Sequence, residues 1–250
     1  MVFKGGVNFQ SSFAGYVFET IEISSFDPQI IKASISASER DGVLLTMELD
    51  HLPTLEDATH KAKEFALYIA KMLTFEFNVF HQNFKWVNDT LIEERPDGSS
   101  EMIGNVGMGF ELEGDLVIVL GEKSLSSLKD SLQRKPSDSF SYDQFYYAFG
   151  LTDAISKFMA LYNIVLTLCN DRQEDVDRFV LEVQPNIPVD LPYRPRKSGT
   201  PETLYTRLRN QIAHVRHGTT IESTGKEMER ILSGLVEVTK KRINKSFPKL

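Results

Sequence analysis

Six side chains able to work on a phosphodiester lie within eleven positions of this chain: Arg207, Arg209, Asn210, His214, Arg216 and His217. Histidine titrates at about pH 6.5, so it can take a proton from a hydroxyl or return one to a departing oxygen. A guanidinium is always charged, and its fork of N–H groups matches phosphate oxygens two at a time, which suits it to the charge that builds in a transition state. On a helix turning about 100° per residue, Leu204, Leu208, Ile212 and Val215 form one stripe that must face a core. Arg207, Asn210 and His214 then share one flank of that stripe, while Arg209 and Arg216 emerge on the other.

The charge distribution suits a polyanionic partner for the same region. The chain has a net charge of −7, but residues 1–140 carry 12 basic and 22 acidic side chains, whereas residues 141–250 carry 16 and 13. From Asp190 to Leu250 there are 13 basic and 6 acidic residues. Such asymmetry points to RNA or another acidic partner for the C-terminal half.

The elements that must hold these residues are read from periodicity and punctuation. Over the first half the pattern is α+β: strands at Tyr16–Ser24, Ile30–Ser38, Val43–Leu49, Lys85–Glu94 and Asp115–Leu120, with a hairpin turn at Arg40-Asp41-Gly42. The turn-rich residues 95–100 separate the last two strands. A helix begins at Thr54 as N-cap, with Leu55, Ala58, Ala62, Phe65, Ala66, Ile69, Ala70 and Leu73 on its buried face. Residues 124–141 read as a linker containing a short helix. The second half predicts four helices: Asp143–Asn170, about Gln173–Val183, a third from Thr200 as N-cap with Pro201 at its first position to Gly218, and a fourth from Thr224 with Glu227 as a capping box. Prolines at 185, 188, 192 and 195 predict an extended loop between the second and third. The domains expected are thus an α+β domain over residues 1–138 and an all-α four-helix bundle over residues 139–250.

The string Leu208-Arg209-Asn210-Gln211-Ile212-Ala213-His214, on the third helix of a four-helix unit, resembles the arginine, polar residue, short spacer, histidine motif of the HEPN superfamily. The resemblance spans about residues 142–245. It implies a metal-independent endoribonuclease without cofactor, active in toxin, antiphage or RNA-processing systems, with RNA as substrate and an antitoxin or regulatory protein among its partners. It also implies a homodimer in which two copies of the motif form one composite active site. Carried onto this chain, Arg209 and His214 are catalytic and Asn210 supports them; Arg216 and His217 contact RNA phosphate. Arg207, seven residues before His214 and on its face, competes with Arg209 for the scissile phosphate. Arg209 and His214 are five residues apart, about 140° around a regular helix, so one chain does not aim both at one point. The rival expectation is a non-catalytic HEPN-like scaffold that binds RNA or a nucleotide, or that dimerises; the acidic first half favours it.

Other candidates lead elsewhere. A single cysteine, Cys169, sits in an apolar helical pattern, which excludes a disulfide framework within one chain and makes a reducing cytoplasm the expected location. The apolar runs are too short or too interrupted to span a bilayer, and residues 1–15 lack a leader's apolar stretch. His51, His60 and His81 lack partners at metal-ligand spacing. Gly104, Gly107 and Gly109 lack the order of a phosphate-binding loop. Arg194, Arg196 and Lys197 read as solubilising charges of the Pro-rich loop, and Phe75, Phe77, Phe80, Phe84 and Trp86 as core aromatics rather than a ligand pocket.

Overall fold

The structure, a computed structural model, describes residues 1–11, 15–81, 84–106, 118–119, 122–133, 139–192, 199–213 and 220–246. The fold is α+β, and the chain divides into two compact units, Met1–Pro136 and Ser137–Leu250.

The first unit contains β1 (Val2–Ser11), β2 (Tyr16–Ile23), β3 (Ile30–Ser38), β4 (Gly42–Leu52), α1 (Leu55–Phe77), β5 (Lys85–Glu94), β6 (Ser100–Val106), β7 (Ile118–Val119) and α2 (Glu122–Leu132). Six strands form an antiparallel sheet in the order β6-β5-β1-β4-β3-β2, and β7 joins β2 in parallel. Strand β1 is central and was not expected. Its buried residues Phe3, Val7 and Phe9 alternate through Gly5, which removes one apolar member from the pattern. Gly5 has φ +142°, and a Cβ there would run into the Thr90 carbonyl, so only glycine permits this approach of β1 to β5. The turn after Lys85–Glu94 does make a hairpin, but its second strand is β6, directly following, rather than Asp115–Leu120. Of that later segment the described residues, Ile118 and Val119, lie at the opposite edge.

Helix α1 follows its local signals. The Thr54 hydroxyl accepts the Asp57 N–H at 3.0 Å, Asn78 closes the helix in the left-handed region, and the stripe from Ala58 to Leu73 is buried against the sheet. Burying one such stripe against a sheet is what stabilises a helix of this composition.

The second unit contains α3 (Ser139–Gly150), α4 (Ala154–Leu168), α5 (Gln173–Val183), β8 (Val189–Asp190), β9 (Glu202–Thr203), α6 (Leu204–Ala213) and α7 (Ile221–Ser246). Its core joins Phe145, Phe158, Leu161, Tyr162, Val165, Val180, Tyr205, Leu208, Met228, Leu235 and Val238. Three expectations are corrected. The long first helix is two, because Gly150 ends α3 and Asp153 caps α4 by accepting the Ser156 N–H at 2.8 Å. The loop between the prolines holds a two-residue strand, β8, paired with β9, so Pro201 precedes a strand and the third helix starts at Leu204. The last helix starts at Ile221, with the Thr220 hydroxyl accepting the Ser223 N–H, while Thr224 is buried inside it. No described helix is long and apolar enough to cross a membrane.

Candidate active site

Helix α6 carries the motif, and its start is built by α5. The Asp177 carboxylate, fully buried, accepts at one oxygen from the Thr203 N–H (3.0 Å), the Thr203 hydroxyl (2.5 Å) and the Thr206 hydroxyl (2.6 Å). A carboxylate at a helix N-terminus satisfies orphan donors and opposes the helix dipole favourably. Tyr162 of α4 joins through Thr206 at 2.9 Å. On the same helix the Tyr205 hydroxyl donates to Gln184 at 2.8 Å, and burial pushes its pKa up to about 12. Gln184 in turn donates to the Gly234 carbonyl at 3.1 Å, and a Cβ at Gly234 would collide with the Tyr205 hydroxyl. These contacts fix α6 in rotation and height before any motif residue is considered.

Asn210 is the centre of the motif. It is 8% exposed; its Nδ2 donates to Glu202 Oε1 at 2.8 Å, and its Oδ1 accepts from Gln173 Nε2 at 3.0 Å and from Arg209 Nη1 at 3.1 Å. The asparagine is thus oriented by β9 and α5, and it holds the arginine beside it. Helical phase alone grouped Asn210 with Arg207; the structure groups it with Arg209, because a long guanidinium stem reaches around the helix to its neighbour. Arg209 Nε is buried and has no hydrogen-bond partner among the described residues. Leaving such a donor unmet costs about 1–3 kcal/mol, and an acceptor oxygen arriving there would meet it.

Arg207 likewise keeps a buried Nε without a hydrogen-bond partner among the described residues, but its two terminal nitrogens are engaged by carboxylates. Its Nη1 lies 2.8 Å from Asp190 Oδ2 and its Nη2 lies 2.9 Å from Glu227 Oε1, which ties β8, α6 and α7 together. Two carboxylates already offset its charge, so as an RNA contact it would have to surrender one of them. His214, Arg216 and His217 lie outside the described residues.

Glu202, Gln173 and Asp177 were not found by sequence reasoning. Only Asp177 left a signal, as a carboxylate directly after Val176 and three residues before Val180 on an otherwise apolar stripe. Glu202 and Gln173 mark nothing by their types or spacing. Among the described residues no group of three or more His, Cys, Asp or Glu side chains is placed to hold a metal ion. His51 pairs with Asp50, His60 with Glu64, and His81 is buried against Tyr16. Cys169 is buried at the end of α4, and burial pushes its thiol pKa up, as for a core residue rather than a nucleophile.

No protein-family model, curated protein or solved structure matches this chain at a significant level.

Proposed function

We propose that the C-terminal unit is an HEPN-like bundle and that the protein is a metal-independent endoribonuclease acting on RNA as a homodimer, in a toxin or antiphage role. The observation that carries this reading is the Arg209–Asn210 pair. Its asparagine is locked by Glu202 and Gln173, and its arginine keeps a buried N–H unmet five residues ahead of His214. A guanidinium held in place before substrate arrives can stabilise developing charge without reorganising.

In the reaction, His214 takes the proton from an RNA 2′-hydroxyl as the 2′-oxygen bonds to phosphorus. Arg209 steadies the phosphorane, the bond to the 5′-oxygen breaks, and that oxygen receives back the proton that His214 took. The products are a 2′,3′-cyclic phosphate and a 5′-hydroxyl. Five residues on a regular helix span about 140°, so the reading takes Arg209 and His214 from different copies of the chain. Arg216 and His217 add phosphate contacts.

The test is purified protein with total RNA in EDTA. Wild type should leave cyclic phosphate ends, and His214→Ala and Arg209→Ala should each slow cleavage by about 10²- to 10⁴-fold. RNA left intact by the wild-type dimer would overturn the reading. A second reading, a non-catalytic RNA-binding or dimerisation scaffold, is favoured by one observation, the capture of Arg207 by Asp190 and Glu227. Dimerisation or RNA binding that depends on Arg209, without cleavage, would support it.

A further inference from the structure

We infer that the N-terminal unit holds a binding site for a small organic anion with a flat, apolar body. Between α1 and the strands beside it lies a cavity of about 320 Å³, lined by Phe9, Lys63, Ala66, Leu67, Phe84 and Trp86. The cavity opens to solvent, and its volume falls at the lower end of small-molecule sites, which run from about 300 Å³ upward.

The strand register makes this cavity. The pairing of β1 with β5 shifts between Asn8 and Phe9, which sets Trp86 opposite Phe9. The two rings meet edge to face, with centroids 5.1 Å apart and planes at 64°. On α1, Lys63, Ala66 and Leu67 are spaced i, i+3 and i+4, so they share the flank that closes the other side. Phe9, Ala66 and Phe84 are buried and form a dry floor; Leu67 and Trp86 are half-buried walls; Lys63 is exposed at the mouth.

The polar groups decide the ligand's charge. Only two lining side chains carry any, the Lys63 ammonium and the Trp86 indole N–H, and both are donors. No lining side chain offers a hydrogen-bond acceptor, and the Lys63 ammonium repels a second cation, so a carboxylate or sulfonate is favoured over a cation or an amine. Lys63 makes no ion pair among the described residues, so its charge is not already offset. Three aromatic rings around the floor favour a planar ring system, through offset or edge-on contact.

Trp86 is the only tryptophan in the chain, so the emission followed comes from a side chain that lines this cavity. The experiment titrates the full-length protein with 1-anilinonaphthalene-8-sulfonate and, separately, with the neutral N-phenyl-1-naphthylamine, following energy transfer from Trp86 at low ionic strength. The sulfonate should bind saturably at one site per chain and about 5-fold more tightly than the neutral compound. Lys63→Glu should weaken the sulfonate by about 5-fold or more and leave the neutral compound within about 2-fold, at an unchanged melting temperature. The inference is overturned if the sulfonate fails to bind at millimolar concentration, binds at several sites without saturating, or binds Lys63→Glu as tightly as wild type.

Discussion

Helix α1 carries its own boundaries, whereas α6 borrows them. In α1 the Thr54 hydroxyl caps the start, Asn78 closes the end, and one apolar stripe meets the sheet. In α6 the start is held by Asp177 from α5, and its buried face includes Tyr205, Thr206 and Asn210, each satisfied by a partner from another element. A helix of the first kind depends on neighbours a few residues away. One of the second kind costs more to assemble, because buried polar groups must find partners or be left unmet. What it gains is a set of polar side chains held in fixed positions, which is what a site needs.

That contrast can be broken from either side. The largest effect should come from Asp177→Ala, which strands the Thr203 N–H and hydroxyl, leaves the Thr206 hydroxyl with Tyr162 alone, and should destabilise the second unit by about 3 kcal/mol or more. Chemical denaturation measures it, and amide exchange should show α6 losing protection while α1 keeps its own. An α6 as protected as before would mean that the helix does not depend on α5.

Next is the pH response of the segment just past α1. His81 is buried, donates its backbone N–H to the Thr74 hydroxyl, and has Nε2 2.5 Å from the Tyr16 hydroxyl. Burial raises the Tyr16 pKa, so the phenol keeps its proton and donates, and burial lowers the His81 pKa from 6.5 to about 4. The unfolded chain therefore binds the extra proton first as pH falls. The contribution is complete above about pH 6.5 and is lost progressively toward pH 4, by up to roughly 3 kcal/mol. Melting temperature against pH should fall less steeply through that window in His81→Phe than in wild type. Parallel curves would remove His81 from the account.

Gly234→Ala should cost about 1–3 kcal/mol through its collision with Tyr205, and Tyr205→Phe should relieve part of that loss. A double-mutant cycle on the melting transition measures the coupling, and simple additivity would count against the contact. The smallest effect belongs to the self-contained helix. Thr54→Ala should cost about 1 kcal/mol, read from the unfolding of the first unit, because only one cap bond is lost.

The same contrast explains what could be read in advance. The boundaries of β3, β5 and α5 were legible, because apolar spacing and turn residues act within one segment. Strand β1 was not, since Gly5 serves a partner 85 positions away, Thr90, and looks like punctuation when read alone. The break between α3 and α4 was hidden because the apolar stripe runs on in phase across it, although Gly150 and Asp153 are ordinary stop and start signals. At the motif, Arg209, Asn210 and Arg207 were singled out from their types and spacing. That Asn210 belongs with Arg209, and that Arg207 is held by two carboxylates, could not be foreseen, because Glu202, Gln173, Asp190 and Glu227 come from four other elements.

By itself the sequence determined an α+β chain with an acidic first part and a basic last part, and a helix bearing arginines and an asparagine beside an apolar stripe. These follow from short-range sterics, periodicity and charge, which need no knowledge of distant residues. Only the tertiary structure decided which polar partners orient Asn210, which carboxylates hold Arg207, and that a cavity opens beside Trp86. Each of these depends on side chains brought together across long loops, and their pairing is set by packing rather than by order along the chain.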